Sequence, residues 1–126
     1  MNFEDLIRSS DEKLRIVQEL VPGKQISIAH VIANPDDILY TKLGLDPTKE
    51  YKKEAIGVVT ITPAETAIII ADIALKSSGA ELGFVDRFSG TLILIGTVSE
   101  VLSSITALVD YAKDVLGFTV CPITKT

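Results

Sequence analysis

The chain has 126 residues, a length typical of one domain, with a net charge of −5 at neutral pH. The single cysteine, Cys121, excludes an intrachain disulfide, and we interpret it as a small apolar core residue. No stripe of Lys and Arg is present, which argues against a nucleic-acid partner. Apolar runs are far shorter than the ~20 residues of a membrane span, so we expect a cytoplasmic protein without a membrane partner. With 47% apolar residues, other copies are expected to cover part of its surface.

Residues 1–25 form an N-terminal extension that the pattern leaves open between two structures. In a helix, five apolar residues would fall on roughly one side: Leu6, Ile7, Leu14, Val17 and Leu20. In a strand, Leu14, Ile16 and Leu20 would alternate with charged residues. The turn residues Val21-Pro22-Gly23 end either structure.

The main domain, residues 26–126, begins with a β-branched, alternating segment at 26–32 that predicts a strand. Pro35 cannot lie inside a strand ladder, and the acidic pair after it is typical of a helix start. We predict a short helix that runs to about Leu43 and ends at Gly44. Residues 45–54 are polar and predict a surface loop.

The second half of the domain has clearer signals. Residues 56–61 form a continuous apolar strand, and Thr62, Pro63 and Glu65 have the spacing of a helix cap, first helical position and capping box. The helix that follows runs to Gly79 and is apolar nearly all the way round. Such a helix is buried on more than one side, so we expect its second side to meet a neighbouring subunit.

Residues 81–88 and 91–98 then predict two strands joined by a tight turn at Ser89-Gly90. Ser99 is the predicted cap of a second long helix that ends at Gly117. Residues 118–121 predict a last short strand. The element order indicates an α+β protein with a split βαβ (ferredoxin-like) fold, in which an antiparallel sheet carries the helices on one face.

Catalytic signals are absent from the sequence. His30 is the only histidine and lies inside an apolar strand, where a structural role is favoured. No phosphate-binding, dinucleotide-binding, CxxC or metalloprotease motif occurs, so we predict no cofactor, no metal site and no enzyme activity. Asp86-Arg87 is interpreted as an exposed charged pair near a hairpin tip. An alternative function is a small oligomeric ligand-binding or regulatory domain, since this fold serves many of those.

Three segments carry a resemblance to a known family. They are VPGKQISIAHVIANP (21–35), AIGVVTITPAETAIIIADIALKSSGAELGFVDRFSGTLILIGTV (55–98) and FTVCPITKT (118–126). Together they resemble the circularly permuted bacterial microcompartment shell proteins (BMC domain) of ethanolamine- and propanediol-utilisation shells. The resemblance implies a structural hexamer with a central opening, which tiles with other shell proteins of the same compartment into the shell wall.

The resemblance also implies roles for particular residues. The hairpin Arg87, Phe88, Ser89 and Gly90 would line the opening on the six-fold axis. Lys76 matches an edge lysine of the family, and Asn34 stands where unpermuted members carry an edge arginine. In permuted members the N-terminal segment can form a six-stranded barrel over the opening, to which Leu14, Ile16 and Leu20 would contribute here.

Overall fold

The computed structural model describes residues 23–47 and 54–126. These residues form five strands: β1 (Gln25–Ile32), β2 (Ala55–Thr62), β3 (Glu81–Asp86), β4 (Thr91–Gly96) and β5 (Thr124–Lys125). They also form three helices: α1 (Asp37–Lys42), α2 (Thr66–Ser77) and α3 (Val98–Asp114). The predicted short helix after Pro35 is confirmed as α1, with Asp36 as its cap.

One sheet joins all five strands in the order β3-β4-β2-β1-β5. Neighbours among the first four strands are antiparallel, and β5 adds to the outer edge of β1 in parallel. The predicted α+β fold is confirmed. The parallel strand β5 at the edge of the sheet was not predicted. The predicted strand at 118–121 is wrong, because Thr119 forms only an isolated bridge with Gln25 and regular pairing resumes beyond Pro122, in β5.

The two central strands, β2 and β4, are buried on both faces of the sheet. Along β4, Leu92 and Leu94 join the core beneath α2 and α3, whereas Ile93 and Ile95 belong to a second cluster on the opposite face. Tyr40 of α1 and the Leu45 that follows it complete that second cluster. The two long helices therefore share one face, as predicted, and the short α1 segment covers the other.

A glycine sets the distance between α3 and the sheet. A Cβ atom at Gly57 would lie 2.6 Å from Cγ1 of Val101 and 2.8 Å from Cδ1 of Ile105. A larger residue would require the side chains of Val101 and Ile105, or α3 itself, to shift. A buried hydroxyl joins the two long helices, since Ser104 donates to the carbonyl oxygen of Ala74 over 3.1 Å.

The start of α2 differs from the prediction. Thr62 remains in the ladder, paired with Gln25, so it is not available as a helix cap. Helix α2 begins at Thr66 after a turn in which the Thr66 amide donates to the carbonyl oxygen of Pro63 over 3.0 Å. Glu65 precedes the helix without a side-chain cap bond. The capping signal at Thr62 was wrong because strand pairing competes for the same residue.

The start of α3 also differs, by two residues. The hydroxyl of Thr97 accepts from the Glu100 amide over 3.1 Å, and the Glu100 carboxylate accepts from the Thr97 amide over 3.0 Å. This reciprocal pair is a complete capping box, so Thr97 and not Ser99 is the cap. Gly117 follows the helix with φ of +72°, as a C-terminal stop requires.

The capping box yields a test of the helix boundary. Thr97→Ala should lower the free energy of unfolding by about 1 kcal/mol, because an amide of the first helical turn loses its acceptor. Ser99→Ala is the matched control and should change that free energy by less than about 0.5 kcal/mol. Chemical denaturation of both variants measures the difference. A larger loss of free energy of unfolding in the Ser99 variant than in the Thr97 variant would instead support Ser99 as the helix cap, as the sequence predicted.

Candidate functional site

The hairpin between β3 and β4 is held by the carboxylate of Asp86. One carboxylate oxygen accepts from the Phe88 amide over 2.8 Å, and the other accepts from the Ser89 hydroxyl over 2.8 Å. These bonds, the Phe88 amide first, hold the pKa of the half-buried Asp86 below its usual value. Asp86 therefore stays ionised at neutral pH, and its charge stabilises the turn.

Gly90 fastens the same hairpin to the central sheet. Its amide donates to the carbonyl oxygen of Asp86 over 2.9 Å, and its own carbonyl oxygen accepts from the Ile61 amide over 2.8 Å. Its φ of +75° is a conformation that favours glycine, and a Cβ atom would lie 2.0 Å from the Ile61 carbonyl oxygen. No other residue fits this position without movement of the hairpin or of β2.

The tip of the hairpin projects a cation and an aromatic ring. The Arg87 guanidinium lies over the Phe88 ring, 5.0 Å from its centroid, in cation–π geometry. Phe88 is 81% exposed, more than any other large apolar side chain in the described part of the protein. The structure thus brings the four predicted hairpin residues together on one rigid turn, with positive charge at its tip.

The predicted edge residues are on the surface. Lys76, in the last turn of α2, contacts Asp72 one turn earlier, with 2.8 Å between Nζ and Oδ2. The hydrogen bond with Asp72 is the main cause of a raised Lys76 pKa, so this lysine stays charged at neutral pH. Asn34 is exposed and lies two residues beyond the end of β1. Leu14, Ile16 and Leu20, the predicted barrel residues, lie outside the described residues.

His30 has a structural role that its sequence position did not reveal. Its ring nitrogens lie 2.6 Å from Oγ1 of Thr124 and 2.9 Å from Oγ1 of Thr126, so the imidazole fastens β5 to β1. These partners are more than ninety residues away in the chain, and no local signal announces them. The histidine is engaged in holding an edge strand, in agreement with the structural interpretation.

Three structural features of residues 23–47 and 54–126 concern metal clusters, buried polar atoms and membrane-spanning helices. No group of three or more His, Cys, Asp or Glu residues in these ranges has the geometry to hold a metal ion. Every buried side-chain nitrogen or oxygen described there has a hydrogen-bond partner. Within the same ranges, no helix has both the length and the apolar character needed to cross a bilayer.

Comparison with known proteins identifies the family. The BMC domain matches residues 55–124, more than half of the chain. The bacterial microcompartment shell protein CutR of Streptococcus intermedius is 49% identical over 111 residues, which cover 88% of this chain and 91% of CutR. The chain belongs to the bacterial microcompartment shell proteins. Another member, PduU of Salmonella typhimurium, is 46% identical over 112 residues, covering 89% of this chain and 93% of PduU.

Solved structures of shell proteins have the same fold. The CutR flat hexamer, form 2, matches with a TM-score of 0.76 and 45% identity, over 96% of this chain and 99% of that chain. A CutR screw assembly matches with a TM-score of 0.73 and 46% identity, over 83% and 100%. A fused permuted hexameric shell protein from the RMM microcompartment matches at 20% identity with a TM-score of 0.62, over 71% and 49%, which shows the fold alone. The predicted family, in its permuted form, is confirmed.

The role of Gly90 can be tested with a glycine that shares its conformation. Alanine at a left-handed position costs about 1–2 kcal/mol, and Gly117→Ala should cost only that, because nothing lies within 4 Å of its Cβ position. Gly90→Ala adds the clash with Ile61 and should lower the free energy of unfolding by at least about 3 kcal/mol. Denaturation curves compare the variants. Equal losses would show that the hairpin is not fastened to β2 through Gly90.

Proposed function

We propose that this chain is a structural subunit that forms hexamers and tiles with other shell proteins into the wall of a microcompartment in the cytoplasm. The observation that carries the proposal is the 49% identity with CutR, together with a TM-score of 0.76 to its flat hexamer. In this proposal residues 26–126 form the shell domain and residues 1–25 form an extension of it. The subunit catalyses no reaction and binds no cofactor.

The hairpin residues Arg87, Phe88, Ser89 and Gly90 are proposed to line the opening on the six-fold axis. Two features support this position. The turn is rigid, because Asp86 and Gly90 fasten it from both sides. At its tip, the Phe88 ring and the Arg87 guanidinium over it are not covered by other parts of the described chain. Six copies of the Asp86-Arg87 pair around one axis would surround the opening with fixed charge.

Subunit contacts within the hexamer are proposed to involve apolar helix surface and the sheet edges. β3 is the last strand on its side of the sheet and has no further strand beside it among the described residues. It carries two exposed apolar side chains, Leu82 at 40% and Phe84 at 42%. An apolar edge strand of this kind favours association with another chain, which a closed ring of subunits provides.

The remaining assignments concern the outer edge and the six-fold axis of the hexamer. Lys76 and Asn34 are proposed to contact neighbouring hexamers, and both are exposed as that role requires. Leu14, Ile16 and Leu20 are proposed to form one strand of a six-stranded barrel that closes the opening, since closure removes unpaired strand edges. An amphipathic helix is the competing structure for this segment.

The hexamer is the first outcome to measure. Light scattering coupled to size exclusion should give about six times the 13.6 kDa of one chain, since closed rings of this family have six subunits. Electron microscopy of the same sample should show six-fold particles, with density over the axis if residues 13–20 close it. A monomer mass at micromolar concentration would refute the proposal. Six-fold particles with an open axis would refute only the barrel.

Lys76 tests the contact between hexamers. Each exposed lysine contact is worth about 0–1 kcal/mol, but a tiled layer repeats it at every edge. Lys76→Ala should therefore leave the hexamer mass unchanged and raise severalfold the concentration at which sheets form, measured by pelleting and microscopy. Lys113→Ala, in the last turn of α3, is the matched control and should assemble like the parent. Dissociated hexamers, or unchanged sheets, in the Lys76 variant would contradict this assignment.

A further inference from the structure

Residues 119–126 follow the outer edge of β1, and we call them the strap. At one end of β1, the Ile26 amide donates to the carbonyl oxygen of Thr119 over 2.9 Å. At the other end, the Ala33 amide donates to the carbonyl oxygen of Thr126 over 2.9 Å, and the Thr126 amide donates to a β1 carbonyl oxygen over 2.9 Å. The strap is therefore bonded to the backbone near both ends of the strand.

The His30 ring contacts two threonines of the strap at once. Its Nδ1 atom lies 2.6 Å from Oγ1 of Thr124, and its Nε2 atom lies 2.9 Å from Oγ1 of Thr126. Residues two apart in an extended chain point to the same side, so the pattern Thr-x-Thr presents both hydroxyls to one ring. A hydroxyl can donate or accept, so both bonds can form with either tautomer of imidazole and with imidazolium. The contact therefore favours the Thr-x-Thr pattern whatever the protonation state of the ring.

The end of the strap is held by β1 alone. Among the helices and strands of the described chain, β5 contacts only β1, and both of its residues are exposed. The middle of the strap is different, because Val120, Cys121 and Ile123 pack against the core. The Thr-x-Thr end can consequently leave β1 without any change in the contacts of the three helices.

The edge of β1 that the strap covers has the composition of a strand that pairs readily. Residues 25–32, QISIAHVI, include no proline, glycine, lysine, arginine, aspartate or glutamate. Prolines and charged residues are what usually keep an edge strand from pairing with another chain. Ile28 is 47% exposed and adds apolar surface beside the edge. Without the strap, two copies of β1 could pair antiparallel across a two-fold axis.

We propose that the outer edge of β1 and the His30 ring form a binding site for an extended peptide of the pattern Thr-x-Thr. In this chain, residues 122–126 occupy the site and keep the β1 strand of a second copy from pairing there. The backbone hydrogen bonds hold the peptide against the edge, and the two contacts of the imidazole select its sequence. The site is defined by contacts within one chain, so it does not depend on the proposed hexamer.

A deletion with a peptide added back tests the site. The variant that lacks residues 122–126 should sediment as larger species than the parent at the same concentration, because its β1 edge is open. The acetylated peptide PITKT, at millimolar concentration, should return the profile to that of the parent. The matched peptide PIVKV lacks both hydroxyls and should not. The proposal is overturned by a variant that sediments like the parent, by one that forms smaller assemblies, or by two peptides of equal effect.

A second test keeps the chain at full length and decides the matter if the deletion variant does not fold. The double variant Thr124→Val/Thr126→Val loses two hydrogen bonds to His30, so hydrogen exchange of the Ala33 amide should become at least about fivefold faster. Thr119→Val is the matched control in the same strap and should leave that exchange unchanged. Unchanged exchange in the double variant, or equal acceleration in the control, would refute the role of the two hydroxyls.

The histidine itself closes the cycle. His30→Phe retains a planar ring without either nitrogen and should accelerate exchange of the Ala33 amide as much as the double valine variant does. The triple variant should be no faster, because the same two bonds are lost only once. Additive effects would show that His30 and the threonines act through separate contacts, and would overturn the selection of Thr-x-Thr by the ring.

Discussion

The fold depends on one constraint, which is that the central strands β2 and β4 are apolar on both faces. A sheet of this kind must be covered twice, because each exposed side would leave a large apolar surface in water. The helices α2 and α3 cover one face, and the short α1 segment with Leu45 covers the other. This double cover leaves β3 and β5 at the two edges and directs the remaining apolar surface outward, where other subunits can bury it.

The hairpin depends on the same central strands. Gly90 accepts a hydrogen bond from Ile61 near the end of β2, so the turn cannot move independently of the sheet. Asp86 holds the turn from the other side through the Phe88 amide and the Ser89 hydroxyl. A rigid turn of this kind fixes the positions of Arg87 and Phe88. In the proposed hexamer, that rigidity would give the proposed opening a defined width.

Several polar groups of the described residues make hydrogen bonds that hold the fold together. His30 holds β5, Ser104 joins α2 to α3, and Thr97 with Glu100 caps α3. Each of these groups is engaged in a structural bond. Exposed apolar side chains lie at the hairpin tip, on the β3 edge and on the outer side of α2, and the proposed assembly offers other copies to cover them.

Much of this could be predicted from the sequence, because the decisive signals are local or periodic. The alternation in β1, the apolar run of β2, the turn at Ser89-Gly90 and the stop at Gly117 depend on a residue and its near neighbours. The absence of catalytic motifs and the three family-like segments were also visible in the sequence. Together these signals predicted the α+β fold, the hairpin and the shell-protein family without knowledge of any tertiary contact.

Other features were decided only by the tertiary structure. Thr62 has the local signature of a helix cap but pairs with Gln25, which lies far away in the chain. Residues 118–121 have the composition of a strand, yet regular strand pairing begins only at Thr124. There the backbone pairs with β1, and the His30 ring contacts the Thr124 hydroxyl. The cover of the second sheet face by α1, and the need for glycine at positions 57 and 90, also depend on distant segments. The sequence by itself determined the elements and the family, whereas the competition between local and long-range partners for the same backbone groups determined where those elements begin, end and pack.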